Sequence, residues 1–311
     1  MYETRPSAGK GLGTFTSRII QEGACIMTEE AILSLTKKEH KARNAVWFVS
    51  LKGKFNQLSQ QGQATYLALS YRPDVVDEAI VPTLKDFLTE DEGIKDAEVL
   101  QVELELLRKI MAIYLSNRTS MGDHGELGFG IFPKFSRINH SCVPNATFVF
   151  NPETERVDVY ALKEIKSDEE ITVAYFDIVA PSSERRETLE SFGFTCTCAA
   201  CEGPEQEIRD SRRQRLSEML RILKAYMYGD DTVANLPRDD AEAAAQAYSY
   251  VSLLQEEDVG GEQLALGYDF CGYFQLKKGD IDTAIMYDNI AMENRRACRG
   301  RREADNVGDL D

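Results

Sequence analysis

Apolar positions along this 311-residue chain change their period several times. Leu12–Thr16 and Ala24–Thr28 alternate as two short strands joined by a turn at Glu22-Gly23. From about Thr36 to Asn117 the period becomes helical. One stripe runs through Ala45, Val46, Phe48 and Val49; another runs through Val99, Leu100, Leu104, Leu107, Met111 and Leu115. Pro73 and Pro82 break the chain between them. From Gly125 to Asp177 short strands return, at Thr147–Phe150, Val157–Ala161 and Ile171–Tyr175, with residues 151–156 as the turn between the first two. Pro181–Gly193 reads as a short helix stopped by glycine. Beyond Gly203 the pattern is helical. Leu216, Met219, Leu223 and Tyr226 share a face, residues 241–247 are alanine-rich, and two helices, Glu262–Lys277 and Ile281–Arg299, flank Lys278-Gly279-Asp280. That pair has the outline of one tetratricopeptide-type unit; an ordinary helical hairpin is the alternative, because one unit is not an array. Residues 302–311 read as a frayed tail. The predicted order is strands, helical insert, strands, a cysteine-rich segment and a helical tail.

Composition narrows the partners. Hydrophobic residues make up 43% and charged residues 28%, a globular balance. Lys and Arg number 36 against 52 Asp and Glu, a net charge of −16. Direct nucleic-acid binding is not expected, because gripping phosphates needs a basic surface, whereas a basic partner would suit. No run of about 18 apolar residues predicts a membrane span. The opening MYETRPSAGKGLG lacks the apolar core of a secretory signal, so the expectation is a cytoplasmic or nuclear location. In such a reducing setting cysteines serve metals more often than disulfides.

Four clusters carry chemistry. Gly9-Lys10-Gly11-Leu12-Gly13 lets a backbone approach a ligand closely. A P-loop is excluded because Gly11, not Ser or Thr, follows Lys10. A dinucleotide fingerprint is excluded because no strand is read before the glycines and no helix after them, which leaves a hairpin turn as the plain alternative. Arg137–Asn145 packs Asn139, His140, Ser141, Cys142 and Asn145 into one short stretch, a density of hydrogen-bonding groups that a turn does not require. Cys196, Cys198 and Cys201 have the spacing to reach one tetrahedral Zn²⁺. No fourth cysteine follows closely, so the fourth ligand comes from a distant segment, with Cys142 the best candidate; free buried thiols are the alternative. Cys25, Cys271 and Cys298 stand alone as small apolar residues. In Glu169–Asp177 a strand ends in adjacent aromatics, Tyr175 and Phe176, which taken singly read as core.

In chain order these pieces resemble the SET-domain protein lysine methyltransferases. The matching motifs are Gly9-Lys10-Gly11 followed by Leu12–Phe15 and Gly23, the ungapped block Asn139–Asn145, Glu169–Tyr175, and Phe194-x-Cys196-x-Cys198-x-x-Cys201. The large helical insert and tail are most similar to the SMYD-like branch and its fungal relatives. Here the insert, residues 28–116, has no cysteine and a single histidine, His40, so the MYND zinc finger of that branch cannot form. The resemblance implies an α+β fold: a SET domain of several small sheets over 1–203, with a helical insert at 28–116, a zinc-binding post-SET loop at 190–203 and an all-α region over 204–311. It implies S-adenosylmethionine as donor and a protein or peptide lysine as acceptor. The implied donor contacts are the backbone of Gly9, Lys10 and Gly11, the side chains of Asn117, Asn139 and His140, and Tyr175, with Phe194 over the adenine. Tyr175 would be catalytic, and with Phe132 and Phe176 would line the lysine channel. One structural zinc would sit on Cys142, Cys196, Cys198 and Cys201, and a monomer is expected. Two other classes fit the same residues: a catalytically silent SET fold acting as an interaction module, and an acidic histone-binding adaptor.

Overall fold

The computed structural model describes residues 2–41 and 46–299. Ala45 and the side chain of Val46 in the first helical stripe, and the tail 302–311, lie outside the described residues. The strands are β1 (Tyr2–Ser7), β2 (Gly11–Thr16), β3 (Cys25–Glu30), β4 (Leu33–Leu35), β5 (Thr119–Met121), β6 (Gly128–Ile131), β7 (Asn139–His140), β8 (Ala146–Asn151), β9 (Arg156–Ala161) and β10 (Glu170–Val173). They form three small sheets, ordered β1-β2-β10-β7, β3-β9-β8 and β4-β6-β5. The helices are α1 (Lys37–His40), α2 (Val46–Gln57), α3 (Gln60–Leu67), α4 (Val81–Asp86), α5 (Ala97–Asn117), α6 (Ser182–Phe192), α7 (Gln206–Tyr228), α8 (Asp240–Glu256), α9 (Glu262–Lys277) and α10 (Ile281–Arg299). The fold is α+β.

Two compact units divide the described chain. The first comprises residues 2–26, 138–149 and 159–299; the second comprises 27–137 and 150–158.

In the first unit β1 and β2 form an antiparallel hairpin, β10 runs antiparallel to β2, and β7 runs parallel to β10. β1 corrects the expectation that no strand precedes the glycine motif. Its sequence, YETRPS, has one aromatic, a proline and little alternation, so its pattern reads as loop. It forms because it is an edge strand, where Pro6 leaves no ladder bond unmade. A strand, not a helix, follows the glycines, so the dinucleotide fold stays excluded. The two strands read around Glu22-Gly23 fall in different sheets, because Ile20 leaves β2's sheet to bridge to Ile165. One apolar core joins the cysteine-bearing loop to the tail: Cys142, Val179, Leu189, Leu216, Leu223, Tyr250, Leu254 and Phe270 are all buried in it.

In the second unit α5 starts where Asp96 accepts hydrogen bonds from the Glu98 and Val99 amides at 2.9 and 3.1 Å. Its buried face runs Leu104, Leu107, Ile110, Met111 and Tyr114, while Val99 is half exposed. The stripe therefore begins about a turn later than its sequence suggests. Leu51, Tyr66, Leu84 and Leu88 complete this core. Pro82 does not break a helix but opens α4, where its missing N–H is harmless.

Candidate functional site

The site residues of the first unit lie along its four-stranded sheet. Gly9 and Gly11 have φ of 72° and 76°, which lets the chain reverse tightly between β1 and β2. Beside this hairpin Lys10 pairs with Glu170 at 3.1 Å. Asn139 donates from Nδ2 to the other Glu170 oxygen at 2.7 Å and to the Leu12 carbonyl at 3.1 Å. Glu170 thus ties the glycine hairpin to β7. Gly13 makes the approach possible: a Cβ there would lie 2.4 Å from Glu170 Oε1 and 2.9 Å from Asn139 Nδ2.

The parallel register sets Asn139 opposite Thr172 and His140 opposite Val173, which brings Tyr175 to His140. The Tyr175 amide donates to His140 Nδ1 at 3.1 Å. That leaves the ring proton on Nε2, which faces Cys142 Sγ at 3.3 Å. Burial, aided by Lys10 and Arg185, pushes His140 down to about 4, so its ring is neutral near pH 7. The Tyr175 hydroxyl donates to the Ile138 carbonyl at 2.6 Å. Burial first, and then the charge of Glu170, hold its phenol above the ordinary range, so it remains a donor. Phe176 stacks on His140 at 4.9 Å. Phe194 stands edge-on to Tyr175 at 6.3 Å, with 37% of its surface exposed.

The sulfurs of Cys142, Cys196, Cys198 and Cys201 all lie within 4.8 Å of one another. Cys142 and Cys201 are 3.6 Å apart. A zinc tetrahedron with bonds near 2.3 Å has edges of about 3.8 Å, so the four thiols fit one ion in both spacing and chemistry. The shared hydrogen bonds divide the four thiols: led by those from Cys142, they lower Cys198 and Cys201, while Cys142 and Cys196 are raised. Arg185, buried to 1% exposure, points Nη2 at Cys201 Sγ (3.9 Å) and at the Ala200 carbonyl (3.2 Å). A buried cation beside the cluster offsets the charge that four thiolates carry beyond one Zn²⁺.

Asn117 and Phe132 belong to the second unit. Asn117 ends α5 and donates from Nδ2 to the carbonyls of Ser70 (2.7 Å) and Ile113 (2.9 Å). Phe132 is fully buried, 6.3 Å from the ring of Phe150.

Sequence reasoning passed over Glu170 as a site residue, and Phe192, whose ring lies 5.5 Å from Tyr175. It also passed over Arg185, Arg213 and Glu257. The two arginines had a signal. Arg213 precedes Leu216 by three positions on the apolar face of α7, and Arg185 precedes Leu189 by four on that of α6.

Compared with known proteins, the chain matches the SET domain family model over residues 11–176. A curated relative, histone-lysine N-methyltransferase set5 of Schizosaccharomyces pombe, is 40% identical over 92 residues, 28% of this chain and 29% of that protein. Human histone-lysine N-methyltransferase SMYD3 is 31% identical over 130 residues, 41% of this chain and 29% of that protein. The chain thus spans about 29% of the length of these curated relatives. Among solved structures, the SET domain of LSMT bound to lysine and AdoHcy aligns over 99% of this chain and 92% of that one, at 11% identity and a TM-score of 0.34.

Proposed function

The chain belongs to the SET-domain family, and on that premise we propose that it is a protein-lysine N-methyltransferase using S-adenosylmethionine. The observation that carries the reading is the β7–β10 register, which gathers Asn139, His140 and Tyr175 at one sheet edge with Phe176 and Phe194 beside them. When bound, the donor supplies a methyl group on a sulfonium centre. The exposed face of Phe194 offers a flat apolar support for adenine. The open backbone turn at Gly9–Gly11 leaves room for a ligand, since a Cβ on either glycine would meet nothing within 4 Å. Neutral His140 adds no positive charge beside a cationic donor. A free lysine amine has a pKa of ~10.4 and must react neutral; aromatic surroundings such as Tyr175 and Phe176 lower that value by desolvation. The Tyr175 hydroxyl, held on a carbonyl, orients the acceptor. Roles for Asn117 and Phe132 rest on the family resemblance alone. Cys142, Cys196, Cys198 and Cys201 would hold one Zn²⁺, which braces the loop carrying Phe194.

In this reading residues 1–203 form the SET domain with its insert, followed by a helical C-terminal domain that begins at residue 204. Histone tails are the first substrates to try, because the relatives named above act on histone lysine and the chain is strongly acidic. The SMYD-like affinity, a monomeric state and action in nucleus or cytoplasm belong to the same proposal. No helix among the described residues is long and apolar enough to cross a membrane.

Radiolabelled methyl transfer to histones and to cell extract tests the activity, with Tyr175→Phe as the discriminating variant. Turnover should fall about tenfold or more while donor affinity stays near wild type, the pattern of a group used mainly in the transition state. Full turnover with a melting temperature lowered by the loss of about 1 kcal/mol would make Tyr175 a core hydrogen bond rather than a catalytic group, whereas no transfer by the wild type would favour a catalytically silent module.

A further inference from the structure

The two largest fully buried side chains among the described residues are charged: Arg185 and Arg213. Arg213 extends from α7 to the two segments that follow β7 and β10. Its Nη2 donates to the Cys142 carbonyl at 2.9 Å, and its Nη1 donates to the Ile178 carbonyl. Cys142 lies two residues beyond His140, and Ile178 three beyond Tyr175. The two segments continue from the parallel neighbours β7 and β10. One planar group therefore grips both strand extensions just past the residues that the site uses.

The orientation of that group is itself held. Arg213 Nε donates to Glu257 at 3.2 Å, and Glu257 has no exposed surface. Glu257 caps the C-terminal end of α8, where the helix dipole disfavours a carboxylate. Arg212 and Arg209 approach the same carboxylate at 3.4 and 3.6 Å. Core filling alone needs neither charge, and burying both is costly unless their geometry is used. A guanidinium offers rigid, coplanar donors that can hold two carbonyls and a carboxylate at once; a lysine ammonium cannot reproduce that fork.

We propose that Arg213, oriented by Glu257, is a positioning residue for methyl transfer that sets the spacing between His140 and Tyr175. The proposal rests on the reading of the site given above. It makes α7 and α8 part of the transfer machinery, so the helical tail is not an appendage to a self-sufficient catalytic domain.

The test uses the full chain as wild type, Arg213→Lys and Glu257→Gln. S-adenosylmethionine is titrated calorimetrically, turnover is measured on a labelled protein acceptor, and zinc is counted. Titration stoichiometry counts competent chains, whereas Kd and turnover per competent chain report geometry. Arg213→Lys is expected to retain one zinc per chain, to weaken donor binding about tenfold and to lower turnover per competent chain about tenfold or more, the scale of a small misplacement of reacting groups. Glu257→Gln, nearly isosteric, should move both in the same direction by about threefold. If Arg213→Lys lowers stoichiometry or melting temperature but keeps wild-type Kd and turnover per competent chain, Arg213 only supports the fold and the proposal fails. Should Arg213→Lys not fold, Glu257→Gln decides alone, and wild-type values there overturn the proposal. A wild-type chain that neither binds the donor nor transfers methyl would overturn the underlying reading and the inference with it. Wild-type binding that both variants match would overturn the inference alone.

Discussion

The two buried regions of this protein are held by opposite means. Around the cysteines the interior is crowded with polar and charged groups: four clustered thiols and neutral His140, with the charged Arg185, Arg213 and Glu257 hydrogen-bonded beside them. In the helical insert the interior is mostly apolar. Leu51, Leu84, Leu88, Leu107 and Ile110 are fully buried, and the polar exceptions lie at its margins or are singly bonded: the Tyr66 hydroxyl bonds the Ile110 carbonyl at 2.9 Å, the Tyr114 hydroxyl meets His40, and buried Lys52 pairs with Glu92 and Glu103. Apolar burial is non-directional and tolerates exchange of one hydrocarbon for another. Charge burial is directional, and removal of one partner strands the other. The first region should therefore be sensitive to the chemistry of single atoms, and the second to lost volume.

The largest effect should come from the metal site. Cys196→Ser removes a ligand from a cluster whose ion would stabilise the fold on the scale of about 10 kcal/mol by analogy with zinc-finger peptides. Metal analysis should find well under one zinc per chain, and melting should lose cooperativity; undiminished zinc would mean that Cys196 is not a ligand. Next comes Glu257→Ala, which leaves Arg213 buried and uncompensated at about 3–5 kcal/mol. Chemical denaturation of Glu257→Ala, Arg213→Met and the double variant would show strong coupling, and additive losses would dissolve the charged network. Leu107→Ala in the insert should cost about 2–5 kcal/mol through the cavity it opens while leaving zinc content intact. Zinc loss in that variant would break the contrast between the two regions. Smallest is Tyr66→Phe, worth about 1 kcal/mol for one hydrogen bond in a mostly apolar core. A loss of several kcal/mol would show that the insert, too, depends on directional bonding.

The sequence by itself determined the parts whose physics is local. Cys196, Cys198 and Cys201 lie close enough along the chain for one ion, and Asn139–Asn145 declares itself by density of polar groups. The glycine hairpin and the pair α9–α10 follow from turn chemistry and helical period. The edge strand β1 was illegible, because an edge strand gains its ladder from β2 and needs no hydrophobic alternation of its own. Tertiary structure alone decided that Tyr175 would meet His140 across a parallel register, since residues 35 apart in sequence carry no mutual signal. It also decided that Arg213 and Glu257 are buried. In sequence Glu257 reads as an ordinary helix-surface charge, and the place of Arg213 on the apolar face of α7 is only a faint sign against the rule that charged side chains are almost never enclosed. Only when α7, α8 and the segments that follow β7 and β10 pack together do four polar groups satisfy one another away from water, which makes an otherwise prohibitive burial stable.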